Sequence, residues 1–421
     1  MSRQILSTLI GKTVKQAARL RGGGSALPGL VIEKIDPGFI ARTLAQVPHG
    51  VVVISGTNGK TTTTKIVVEL LEAAGLKVFT NRTGSNFSRG VAAALLGEVD
   101  MRGRLDADIA VLELDEAWAV KFVQLVPPRY SLLLNVMRDQ LDRFGEIDTA
   151  AGFLAKIAQA TTDTVVLNRD DPRIYRLHQK TAADVAFFGT TDQLLKLMPT
   201  DDALKTGRAQ ANQTAPADVL LADIDGQTAT FHIDNAKHAV RMRLNGVYNL
   251  LNAAAALSLV RQIMGEKAEL TTLLGALSDV APAFGRGETI VIDGTPIELI
   301  LVKNPSGFRL SLLSFADGTA DTMIAINDNY ADGRDVSWLW DVDISRLEQV
   351  AVVSGVRAHD MALRLEYDDI TPEIIEPDLA AALEKLLAHH PRKPKHIYCT
   401  YTAMMRLRKL LSIKTDVEAI R

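Results

Sequence analysis

Short apolar runs bounded by polar or glycine-containing turns recur at 51–55, 77–80, 109–114, 130–134 and 164–168, and the stretches between them repeat their apolar residues at helical spacing. Such alternation predicts a mostly parallel sheet with helices on both faces, hence an α/β fold. The polar tips of these strands, Glu113-Leu-Asp115-Glu116 and Asn135, are then expected at the carboxyl edge of the sheet. Between about 190 and 240 the pattern turns polar and irregular, with 210–216 reading as a loop beside short strands at 219–224 and 228–233. A helical pattern resumes around Asn245-Gly-Val-Tyr-Asn249, and Ala283-Phe-Gly-Arg286-Gly-Glu288 reads as a loop closing this region. A second alternating region, with strands at 298–302, 322–326, 349–353 and 396–400, predicts a further Rossmann-like α/β domain. The expected division is 1–45 for a basic helix and linker, including a flexible segment at 21–30, then 46–285 for a central domain and 286–421 for the C-terminal domain.

The first strand runs directly into Gly56-Thr-Asn-Gly-Lys-Thr-Thr62 and then into a helical pattern from about Thr62 to Ala74. Strand, glycine-rich loop and helix in that order form a phosphate-binding loop. Gly56 and Gly59 permit a tight turn with N–H groups facing inward, and Thr57 and Asn58 complete the turn. Lys60 supplies a point charge for terminal phosphates, Thr61 or Thr62 a hydroxyl for Mg²⁺, and the helix N-terminus a favourable potential for the anion. Ile54 stands where the general motif has its first glycine. Glu113, emerging beside this loop, suits Mg²⁺, a hard ion that prefers carboxylate and phosphate oxygens. Asn249 and Asn252 share one helical face, where asparagine amides either pair with an adenine edge or buttress the preceding turn.

With 421 residues, 47% hydrophobic and 23% charged, the chain has the composition of a globular protein of two or three domains. A net charge of −3 argues against general nucleic-acid affinity, and no stretch approaches a membrane span in length. The first 21 residues hold five basic and no acidic side chains; this is a basic amphipathic helix, its charged face either solvated or resting on an anionic membrane surface. The single cysteine, Cys399, excludes an internal disulfide and a thiolate-rich zinc site, and its apolar setting points to a structural role. These features predict a cytoplasmic protein. His178 and His359 lie in mixed segments and carry no assignment.

Taken together, the phosphate loop, Asn168-Arg-Asp-Asp-Pro172, Gly246-Val-Tyr-Asn249-Leu-Leu-Asn252 and Phe284-Gly-Arg286 resemble the Mur ligase family in order and spacing across 51–421. Ile54 belongs to that family's own variant of the loop. Within the family the chain is most similar to the MurT group, the ligase-like subunits of lipid II isoglutaminyl synthases. The likeness rests on Thr80-Asn-Arg-Thr-Gly-Ser-Asn86, Glu113-Leu-Asp-Glu116, Arg138-Asp-Gln140-Leu-Asp-Arg-Phe-Gly-Glu-Ile-Asp148, Leu301-Val-Lys-Asn-Pro-Ser-Gly-Phe308 and the segment from Asn327 to Asp341. Gln140, where other Mur ligases usually show histidine, favours the same group. The four-cysteine zinc ribbon of many MurT chains is absent, so no zinc is expected.

The resemblance implies ATP and Mg²⁺ as cofactors, with Gly56, Thr57, Asn58, Gly59, Lys60, Thr61 and Thr62 on the phosphates. It also implies Arg286 near nucleotide phosphate, Asn252 near adenine, and Thr61 with Glu113 on the metal. It implies ATP-dependent amidation of the D-glutamate α-carboxylate in the stem peptide of membrane-bound lipid II, through an acyl phosphate, at the inner face of the membrane. Ammonia would come from a separate GatD-type glutaminase subunit, whose Cys-His pair an aspartate of this chain would complete: Asp335, with Asp341 the second choice; Asp335 alternatively, or in addition, caps the helical stretch Val336-Ser-Trp-Leu-Trp340. Lys156 is a possible counterpart of the family's carbamylated lysine. Two other readings stay open, an autonomous Mur-type amino-acid ligase and a non-catalytic nucleotide-binding scaffold.

Overall fold

The computed structural model describes residues 3–20, 26–81, 88–137, 147–198, 215–244, 246–282 and 286–415. Its centre is a nine-stranded sheet in the order β2-β3-β1-β4-β5-β6-β7-β8-β9. The strands are β1 (Val51–Ser55), β2 (Val78–Thr80), β3 (Ile109–Glu113), β4 (Tyr130–Leu133), β5 (Thr164–Asn168), β6 (Asp184–Thr190), β7 (Val219–Asp225), β8 (Thr228–Ile233) and β9 (Ala236–Arg241). Pairing is parallel from β2 to β7 and antiparallel across β7-β8-β9. Because successive residues of a strand face opposite sides, Val52 and Ile54 of β1 enter one core while Val51 and Val53 enter the other. A strand buried on both faces reads as an unbroken apolar run.

On the Val52 side lie helices α4 (Lys60–Ala73), α10 (Val247–Met264) and α11 (Leu270–Asp279). The other face is covered by α2 (Ala26–Ile35), α3 (Phe39–Leu44), α5 (Ser88–Glu98), α6 (Glu116–Leu125) and α7 (Ile147–Ala160), with α1 (Arg3–Leu20) packed on α2 and α5. The short helices α8 (Pro172–Tyr175) and α9 (Asp192–Leu195) follow β5 and β6.

One sequence expectation is corrected in this half and another is extended. The segment at 21–30 was expected to be flexible, but α2 starts at Ala26 and carries Ile32 into the core. In the polar region from 190 to 240 the strands expected at 219–224 and 228–233 are present as β7 and β8; they form the sheet's antiparallel edge, with Ala229, Phe231 and Ile233 of β8 alternating into the core, and β9, which the pattern did not predict, pairs with β8. Residues 199–214, including most of the expected loop, lie outside the described residues.

The second sheet has the order β10-β11-β15-β12-β13-β14, from β10 (Arg286–Ile292), β11 (Thr295–Leu301), β12 (Asp321–Ala325), β13 (Val352–Ser354), β14 (Ile374–Glu376) and β15 (Lys395–Cys399). All its pairings are parallel except β10 with β11. Helices α12 (Pro305–Phe315) and α13 (Ala358–Glu366) pack on one face, α14 (Leu379–Ala388) and α15 (Tyr401–Lys414) on the other. The Arg286–Glu288 stretch, expected as a loop, is the bulged start of β10.

Candidate functional site

β1 lies between β3 and β4, so the chain leaves the β1-β2-β3 side of the sheet and resumes on the other side of β1. Where the connections diverge in this way, a crevice opens at the carboxyl ends of the strands. The loop after β1 occupies it. Gly56 has φ 137° and Gly59 φ 90°, conformations that L side chains rarely adopt. A Cβ at Gly59 would lie 2.5 Å from Asn252 Oδ1, so glycine there also permits the close approach of α10. Gly59 is the N-cap of α4 without a side-chain cap, which leaves the helix's first amides to be satisfied from the crevice.

Neighbouring strand ends fix the loop. Asn135, just past β4, accepts from Asn58 N at 2.9 Å through Oδ1 and donates to Asn58 O at 3.0 Å through Nδ2, while its carbonyl accepts from Thr57 N at 3.0 Å. Asp171 caps α8 and accepts from Val136 N at 2.7 Å; burial pushes its carboxyl up. Asn168 donates to Leu134 O at 2.9 Å. These two side chains therefore hold the segment that holds the phosphate loop.

Lys60 is buried; its Nζ donates to Gly56 O and, at 3.3 Å, to Thr57 O, and lies 3.5 Å from Glu116 Oε2. Thr61 Oγ1 donates to Glu113 Oε1 at 2.9 Å, and the backbone of Glu113 is clamped by Asn81 through bonds of 3.0 and 2.9 Å. A hydroxyl and a carboxylate thus meet at the loop, an all-oxygen pair suited to a hard divalent ion. Thr62 Oγ1 is buried without a protein partner.

A cavity of about 120 Å³ adjoins the loop. Asn58, Gly59, Thr62, Tyr248 and Asn252 line it from the central domain, and Lys303 and Gly307 from the C-terminal domain. The two domains meet directly here. Asn304 Nδ2 donates to Asn58 Oδ1 at 3.3 Å while Asn304 Oδ1 accepts from Gly307 N at 2.7 Å, capping α12. The residue types and the open helix end fit a nucleotide's polyphosphate with its divalent ion.

The sequence-derived site therefore separates into parts. Gly56, Thr57, Asn58, Gly59, Lys60, Thr61, Thr62, Glu113 and Asn252 are gathered within one crevice. The backbone of Arg286 opens β10, and its side chain is outside the described residues, as are Gln140 and the remainder of 138–146 and the loop from 82 to 87. Lys156 stands on the exposed side of α7. Asn135, Glu116 and Asn304 were not singled out as site residues. The Asn304-Pro305 pair carried the legible signal of a capped helix start, although not of its contact with Asn58.

Asp335 lies elsewhere, in the loop after β12 at the carboxyl edge of the second sheet. Its Oδ1 accepts from Ser337 N at 2.8 Å, and the Ser337 hydroxyl and amide hold the carboxyl below its ordinary range. Asp332, three residues earlier, is buried and knots the loop to α15, accepting from Thr402 N at 2.7 Å and Thr402 Oγ1 at 2.5 Å. Trp338 packs beneath the loop at 6.3 Å from Phe308, whereas Trp340 is half exposed and meets Tyr367 edge-on at 5.0 Å. Asp341 is exposed. Cys399 is fully buried at the end of β15, its thiol donating to Ile300 O and pushed up by burial.

Sequence models of the Mur ligase middle domain and of the MurT ligase C-terminal domain match residues 54–260 and 301–404 respectively. The chain is 29% identical to the lipid II isoglutaminyl synthase (glutamine-hydrolyzing) subunit MurT of Streptococcus pneumoniae, covering 98% of each chain. It is 28% identical to the protein of the same name from Staphylococcus aureus (strain COL), over 91% of this chain and 93% of that protein. Among solved structures, the MurF ligase of Thermotoga maritima in complex with ADP superposes with a TM-score of 0.70 at 18% identity, covering 92% of this chain and 84% of that one, a likeness of fold.

Proposed function

The chain belongs to the Mur ligase family, and on that premise we propose that it is the ATP-consuming subunit of a lipid II isoglutaminyl synthase. The observation that carries this reading is the joining of a complete Mur-type phosphate loop to a MurT-type C-terminal domain that presents Asp335 on a separate edge. It is an enzyme, a carbon–nitrogen ligase.

A carboxylate at neutral pH is a poor electrophile, and phosphorylation to an acyl phosphate makes it a good one. Lys60 and the first amides of α4 hold the transferred phosphoryl group and spread its charge, and the loop clamped by Asn135 keeps them in place. Thr61 and Glu113 would hold Mg²⁺, which supplies charge neutralisation to the phosphates. Asn252 and Tyr248 border the space for the nucleoside, and by the family resemblance Arg286 serves the phosphates. Ammonia then attacks the acyl carbon and phosphate leaves, converting the D-glutamate α-carboxylate of the lipid II stem peptide to D-isoglutamine.

Ammonia is mostly protonated near neutrality, so local production by a GatD-type glutaminase subunit serves the reaction. Asp335 orients the partner's imidazole from this chain, as the third member of a triad does. Support for Asp335 over Asp341 is its half-buried, Ser337-braced position. Lipid II is a membrane-anchored substrate, and this chain works at the inner face of the membrane; no described helix is long and apolar enough to cross it.

The test is mass spectrometry of lipid II incubated with this chain, a GatD-type glutaminase, glutamine and Mg-ATP, each omitted in turn. Exchange of OH for NH₂ that requires every component supports the proposal. ATP hydrolysis with an active glutaminase and no mass change would replace it with the autonomous amino-acid ligase.

A further inference from the structure

Helix α1 leaves part of its apolar surface outside. Among its described side chains the most deeply buried are small or polar, with Ile5, Leu9 and Val14 only half-buried: Ser7 is 4% exposed, Thr8 is fully buried with its hydroxyl unpartnered, and Gly11 approaches so closely that a Cβ would lie 2.7 Å from Ile32 and Leu96. Those it turns outward at i and i+4 are Leu6, 52% exposed, and Ile10, 40% exposed, with Thr13 continuing the same face. Leu27, at the start of α2, is a further half-exposed apolar side chain. A helix on a globular surface ordinarily shows the opposite arrangement.

The rotation of α1 is fixed by specific contacts. Ser7 Oγ donates to Asp36 Oδ2 at 2.7 Å, Lys15 Nζ donates to Ala93 O at 3.3 Å, and the close packing at Gly11 admits no larger inner face. Leu6 and Ile10 are therefore held outward by the same contacts that seat the helix. Along the sequence the charge of this segment is one-sided: residues 1–32 contain five basic and no acidic side chains, ahead of Glu33 and Asp36 on and after α2, in a chain whose net charge is −3. Outward leucine and isoleucine on a strongly basic segment match an interface that is apolar below and anionic above, which is the boundary of an anionic bilayer.

We propose that the outer face of α1, centred on Leu6 and Ile10, docks this chain on an anionic membrane surface. The inference extends the preceding reading, because a substrate confined to the membrane is met more often by an enzyme lying on the same surface. It requires no nucleotide and no partner subunit, so it stands or falls separately from amidation.

The experiment is co-sedimentation of the full chain with vesicles of phosphatidylcholine alone and of phosphatidylcholine with phosphatidylglycerol. Expected is binding to the anionic vesicles, weakened by added salt as surface attraction is screened. The pair Leu6→Glu and Ile10→Glu, both at exposed positions, should lower that binding by about tenfold or more while circular dichroism stays that of the parent. The milder pair Leu6→Ser and Ile10→Ser should weaken it in the same direction. Equal binding by parent and paired variants overturns the proposal, as does failure of the parent to bind anionic vesicles. If sedimentation velocity instead shows a dimer that the glutamate variant dissolves, with no vesicle binding, the face belongs to a second copy of this chain and the proposal is wrong.

Discussion

Asp335 is the residue on which the proposed link to a glutaminase subunit turns. The Ser337 hydroxyl and amide hold its carboxyl below the ordinary range, and the buried Asp332 beside it, bonded to Thr402, anchors its loop. Asp335→Asn should lower glutamine-driven amidation by on the order of 10⁴-fold, the effect of replacing a triad's third member, while ammonium chloride supplied in place of glutamine restores the rate. Loss of the ammonium-driven rate as well would place Asp335 in the ligase chemistry instead. At the opposite edge of the sheet, Asp321 and the fully buried Lys395 are 2.5 Å apart. Burial raises the Asp321 carboxyl, but hydrogen bonds from Lys395, His390, His389 and Lys393 outweigh it and hold the group well below its usual range. A depressed native value stabilises the fold above the unfolded carboxylate's value of about 3.9, and that contribution disappears as pH falls through the native one. Asp321→Asn leaves the buried Lys395 ammonium without a counter-charge, held only by neutral acceptors such as the His389 and His390 carbonyls, and should cost about 3–5 kcal/mol in urea unfolding near neutrality, with a smaller penalty in acid.

At the level of elements, α12 joins the halves of the nucleotide crevice. Its N-cap, Asn304, uses one amide atom for its own helix and the other for Asn58 in the phosphate loop. Asn304→Ala should lose about 1 kcal/mol of stability and raise KM for ATP. Asn304→Asp keeps the capping oxygen and loses only the donor, so stability should stay near that of the parent while KM still rises; unchanged KM in both would show that the interdomain bond is not used. That bond spans 246 positions, and no local pattern announces it. What the sequence does announce is local. The 51–55 run and the loop behind it were legible because a strand buried on both faces and a glycine-lysine turn have few alternatives. β6, reading Asp-Val-Ala-Phe-Phe-Gly-Thr, neither alternates nor forms a long apolar run, so its place is set by its parallel neighbours β5 and β7. β9, an edge strand with exposed Ala236, Lys237 and Arg241, carries too little apolar signal to be seen at all.

Across the whole molecule, two sheets with separate cores share one crevice, and a ligand lying there contacts both. Mg-ADP at about 100 times its Kd should therefore stabilise the chain by about 2.7 kcal/mol, seen as a rise in Tm. Lys60→Ala should abolish that rise and amidation together while leaving assembly with the glutaminase intact; a full nucleotide-dependent rise in the variant would displace the phosphate assignment. The domain-scale expectation of a phosphate-loop half and a second α/β half came from the alternation of apolar runs together with the Gly56–Thr62 loop motif, whereas the outward face of α1 was not legible, because periodicity gives an amphipathic helix but not which side is turned to the core. Finally, the chain's one thiol, Cys399, lies sealed beneath β11 and α15 and is held protonated. Cysteines introduced on α1 and near Trp340 would then be the only groups to take maleimide dyes, so spectroscopic rulers between any two surface points can be installed without first removing a native residue.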